Sequence, residues 1–148
     1  MKIAQGPRPW SIRLFAFIIC ALGLSDLIIG LSDIDTQIAA LTYDLPSIPW
    51  SRDLAIVWIS ALFTIVLIPV AAIWFRASKI ARALVTIAAI PSLIAVLAFA
   101  HLAITSDEYG WLVLFNAVMI LVAVASLYTN SASAWFNVTC NAREEVFE

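Results

Sequence analysis

The chain has 148 residues, 64% of them hydrophobic and only 12% charged, with a net charge of −2. Average soluble domains carry about 25% charged residues, so a water-soluble body of this size would lack the polar surface to stay dispersed; a bilayer is the natural solvent. The small net charge excludes a global pull toward nucleic acid or anionic surfaces, and the lack of a Cys-x-x-Cys pair removes the redox and zinc signatures.

Residues 1–10 form a short basic lead in which Pro7 and Pro9 disfavour helix and Trp10 suits the headgroup region. The first apolar run follows, expected as a span over about 12–31, with Asp26 lodged inside it. A cleaved signal peptide would have an apolar core of roughly 7–15 residues. The stretch 14–31 is longer, and no small-x-small site follows closely, so the span is read as retained.

The connection 32–53 is the only long one. Within it residues 35–45 are expected to form a short interfacial helix with Ile38, Leu41 and Leu45 on one side, ended by Pro46 and Pro49. Further spans are expected over about 54–75, 83–104 and 111–129. Each of the four holds about 19–22 residues, which at 1.5 Å per residue matches a ~30 Å hydrocarbon core. The connections 76–82 and 105–110 are short, so consecutive spans there should be neighbours. Residues 130–148 turn polar and read as a tail. Pro69 and Pro91 fall inside spans two and three, where a simple bend is the first reading and a gating hinge the second.

Orientation follows from the basic residues. Of the 8 Lys and Arg, only Arg52 lies on the side of the 32–53 and 105–110 connections, beside Asp33, Asp35, Asp44, Asp53, Asp107 and Glu108. The positive-inside rule therefore assigns both termini to the cytoplasm. Aromatic residues agree, with Trp10, Trp74, Phe75, Trp135 and Phe136 at the inner boundary and Trp50, Tyr109 and Trp111 at the outer one. A cytoplasmic tail makes the Asn137-Val138-Thr139 sequon irrelevant. The expected architecture is a single all-α membrane domain, residues 1–148, forming a four-helix transmembrane bundle in a bacterial inner membrane.

Four polar side chains fall at matching depth in the four spans. Asp26 is seven residues before Asp33, His101 six before Asp107, Ser60 seven after Asp53 and Asn116 six after Gly110. Asp26 thus lies ~10 Å below the outer boundary by helical rise, too deep for so short a side chain to reach water. In span one a seam of small residues, Ala16, Cys20, Gly23 and Gly30, suits close helix packing, and polar groups bond across such contacts. Asp26 and His101 are expected to lie near each other. Interhelical glue is the plain reading of this layer; an ion-responsive site is the sharper one, and contact with another chain the third.

With one histidine, no metal-ligand spacing and no nucleophile or phosphate-loop motif, neither catalytic residues nor a cofactor or bound metal is expected. Cys20 and Cys140 differ too much in depth to pair. The leading expectation is a non-catalytic accessory protein that packs against other membrane subunits or itself. The alternative is a small oligomeric transporter or channel with a polar site in the outer third of the bilayer. A faint echo of 26–29 in 101–104, each before an acidic connection, is the kind of parallel repeat that transporters contain.

Overall fold

A computed structural model describes residues 7–103 and 108–144, with the backbone alone at 95, 98–103, 108–110 and 138–144. Among the described residues every regular element is a helix and none is a strand: α1 Trp10–Ser32, α2 Ile34–Asp44, α3 Arg52–Arg76, α4 Lys79–Ala88, α5 Ile90–Ala103, α6 Glu108–Ser126 and α7 Asn130–Glu144. By length and composition α1 and α3 can each cross a membrane. Trp111–Ser126 with Asn130–Asn137 adds a third candidate if the pair, bent by 52°, is one span.

Each helix starts and stops for a local reason. The Pro9 carbonyl accepts the first α1 amides, from Ile12 at 3.1 Å and Arg13 at 3.3 Å. Asp33 caps α2 by accepting from the Thr36 amide, and Ser51 caps α3 by accepting from that of Leu54. The short helix expected over 35–45 is present one residue earlier, as α2, and the prolines at 46 and 49 lie just beyond it. Pro69 is carried inside α3, which continues unbroken past it.

At the end of α3 the chain turns through Ala77, whose φ of 47° lies in the left-handed region that an alanine enters at a cost of about 1–2 kcal/mol. The Ala77 amide still closes the helix onto the Ile73 carbonyl, and Ser78 at once caps α4 by accepting from the Ala81 amide. Two residues thus separate α3 from α4.

The expected third span, 83–104, is not one helix. Helix α4 begins at Lys79 and stops at Ala88, Ala89 forms a turn, and α5 starts at Ile90 with Pro91 in its first turn. Proline supplies no amide for the carbonyl four residues back and crowds it, while fitting well into a first turn. With 10 and 14 residues, α4 and α5 rise only about 15 and 21 Å, so neither crosses a ~30 Å core alone. The segment after 129, expected as a polar tail, is also helical. Thr129 caps α7, its hydroxyl accepting from the Ala132 amide.

The chain divides into two compact units, one of Met1–Ile19 with Pro69–Glu148, the other of Cys20–Ile68. The largest fully buried side chains, Ile12, Phe15, Ile73, Leu127 and Phe136, all belong to the first. There α5 packs against α6. Helix α4 in this unit shows which solvent the fold suits. Its apolar residues Ile80, Leu84 and Ile87 are 75%, 59% and 61% exposed, whereas Arg82 and Thr86 are half-buried. A water-soluble amphipathic helix buries the opposite face. Together with the spanning length of α1 and α3, this marks an all-helical membrane protein.

Candidate functional site

In the unit Cys20–Ile68 the C-terminal half of α1 meets α3 through its glycines. A β-carbon on Gly30 would stand 3.3 Å from Cγ2 of Ile59, and one on Gly23 3.4 Å from the Phe63 ring and 3.5 Å from Val66. The order of these contacts is antiparallel, so Asp26, between the two glycines, falls at the level of Ser60 to Phe63. The depth match of Asp26 with Ser60 is thus compatible with the packing. A bond between them is not made: the Ser60 hydroxyl donates to the Ile56 carbonyl of its own helix at 2.8 Å.

Asp26 is exposed rather than turned inward, and among the described residues no hydrogen bond or ion pair engages it. Ser25, just before it, and Ile29, Ser32 and Asp33, three, six and seven residues after it on the same side, are exposed as well. This unit therefore presents a mixed stripe of carboxylates, hydroxyls and isoleucine. In the connection between α2 and α3 the Trp50 indole N–H donates to the Leu45 carbonyl, and its ring packs edge-on to Trp58 at 5.8 Å.

In the other unit, Ala16 is half-buried and so is Asn116, on α6. The side chain of His101 lies outside the described residues, and with it the expected approach of His101 to Asp26; the connection 104–107 and the Cys140 side chain lie outside them too. Cys20, in the unit of Asp26, is a free thiol.

Two polar groupings in the unit of Ala16 and Asn116 were not foreseen. In the first, the buried Ser126 hydroxyl donates to the Ser11 carbonyl at 3.1 Å, and the Ser11 hydroxyl stands 3.5 Å from that of Ser131, itself 3.3 Å from Thr129. These bonds tie the start of α1 to the junction of α6 and α7. Each hydroxyl is engaged, so the grouping holds helices together and offers no reactive atom.

In the second, the Arg82 guanidinium lies 3.8 Å from the centroid of the Tyr128 ring and 5.3 Å from that of Phe136. The Tyr128 hydroxyl is 2.7 Å from the Thr86 hydroxyl, which also donates to the Arg82 carbonyl at 2.9 Å. Elsewhere in the same unit, Arg8 lies 5.0 Å over the Trp74 ring and its Nε donates to the Trp74 carbonyl. The signal for the Arg82 grouping was present: Arg82 and Thr86 are four apart, opposite Ile80, Leu84 and Ile87. What the sequence does not carry is that Tyr128 and Phe136 come to meet them.

In comparisons with protein-family models, curated proteins and solved structures, nothing matches this chain.

Proposed function

We propose that this is a four-span protein of a bacterial inner membrane, with both termini cytoplasmic, that serves as a non-catalytic accessory subunit packing against another membrane subunit or a second copy of itself. The observation that carries this reading is Asp26, exposed on α1 and engaged by no described residue. An aspartate in the middle of a spanning helix costs ~2.5–3.5 kcal/mol on insertion scales when nothing compensates it. A donor from another chain at the same depth removes that cost, and the stripe of Ser25, Ile29, Ser32 and Asp33 gives such a chain a surface of mixed chemistry to pack on. The basic-residue asymmetry supports the orientation.

The test is a photo-crosslinking residue in place of Ile29, activated in native membranes. A discrete protein adduct, lost when Asp26→Leu is added, is the expected outcome; adducts to lipid alone overturn the reading. The break between α4 and α5 favours a second reading, since discontinuous helices build substrate sites in transporters. Under that reading the protein is a small oligomeric transporter or channel with a polar site in the outer third of the membrane. Solute flux in proteoliposomes that Asp26→Asn abolishes would select it.

A further inference from the structure

We propose that Arg82, with Lys79 before it on α4, binds the phosphate of an anionic phospholipid of the inner leaflet. The proposal rests on the membrane reading but not on a partner for Asp26. A guanidinium has two kinds of surface, a planar face that stacks on aromatic rings and an edge of N–H groups that matches phosphate oxygens bidentately. At Arg82 the face is occupied by Tyr128 at 3.8 Å. The edge is not: among the described residues no acceptor bonds the guanidinium and no carboxylate pairs with it. Arg8 provides the contrast, because its Nε already donates to the Trp74 carbonyl.

The platform is held in place. Tyr128 cannot swing without giving up the 2.7 Å contact of its hydroxyl with Thr86, and Phe136 behind it is 1% exposed. Arg82 is half-buried and Tyr128 half-exposed, so the guanidinium is both desolvated enough to favour an anion and open enough to receive one. The remaining feature selects lipid over a soluble anion. Lys79, three residues earlier, is exposed and adds a second charge at the start of α4, on the same side of the helix as Arg82. On the membrane reading both cations stand at the inner boundary, where phospholipid headgroups lie, whereas Ile80, Leu84 and Ile87, on the far side of α4, face acyl chains. This is a local site and needs no net positive charge on the chain.

The experiment uses the full chain purified in detergent, with thermal unfolding followed during titration with phosphatidylglycerol, phosphatidylcholine or inorganic phosphate. Phosphatidylglycerol should raise the unfolding temperature more than phosphatidylcholine does, and inorganic phosphate should leave it unmoved. Arg82→Gln should weaken the apparent affinity for phosphatidylglycerol about tenfold or more, whereas Arg13→Gln, which changes an exposed charge away from the rings, should preserve it. Equal response to the two lipids, or an Arg82→Gln protein that still discriminates, overturns the proposal; so does a shift from inorganic phosphate alone, which would make this a soluble-anion site. Because Arg82→Gln also removes a packed side chain, the wild-type protein is tested in parallel with a phosphatidylglycerol bearing a photoreactive headgroup. Labelling on α4 or beside Tyr128 supports the site, and labelling confined elsewhere rejects it.

Discussion

At Gly30 the space for a side chain is already taken by Ile59, a β-branched residue whose rotamer in a helix is nearly fixed. Gly30→Leu should therefore force α1 and α3 apart in their unit and cost ~1–3 kcal/mol, as overpacking does elsewhere. Leu24→Ile, on an exposed part of the same helix, should stay within about 0.5 kcal/mol. Equal tolerance at both positions in a detergent-unfolding assay would contradict the packing. Ala77 offers a second test at this scale. Its left-handed φ and its burial together make Ala77→Val unfavourable by more than ~1–2 kcal/mol, while Ala77→Gly, which relieves the backbone but removes a buried methyl, should be close to neutral. Similar stabilities for the two variants would mean that residue 77 has an ordinary backbone in solution. That Gly23 and Gly30 share a face of α1 was legible from their spacing of seven. The outward attitude of Asp26 was not, since spacing places a residue on a face without saying what that face meets.

Among the elements, α2 was the most legible of the connections, its acidic cap, three spaced apolar residues and closing prolines all being local signals. Helix α7 was hidden by its polarity: Asn130, Ser131, Ser133 and Asn137 suggest a tail, and only burial of Ala132, Trp135 and Phe136 explains why it is ordered against its unit. The same substitution made at two places separates these contributions. Phe136→Ala removes a side chain that is 1% exposed and should cost ~3–5 kcal/mol, releasing α7 to protease; Phe17→Ala removes one that is 73% exposed and should be near neutral. Protease resistance unchanged by Phe136→Ala would show that α7 is held by something other than this packing. The break at Ala89 was only half legible. Pro91 announced a distortion, but a bend and a full interruption look alike in sequence, and the decision depends on whether neighbouring groups accept the freed carbonyls.

For the whole molecule, the apolar exterior and the charge asymmetry point the same way, whereas helix length does not settle how often the chain crosses. Two helices suffice by themselves, a third is bent, and the segment 79–103 divides into two short pieces. A four-span protein requires α4 and α5 to cross together, so that the connection after α5 emerges on the side opposite Arg76, Lys79 and Arg82. The most direct measurement is the labelling of single cysteines by an impermeant maleimide in intact cells, with Cys20 and Cys140 replaced. Asp44→Cys and Ser78→Cys serve as the outer and inner references, and Ser106→Cys is the deciding position. The account predicts that positions 44 and 106 label from outside while 78 labels only after the membrane is opened. If position 106 instead behaves like 78, the segment from α4 onward does not cross in the way proposed, and the four-span arrangement is contradicted.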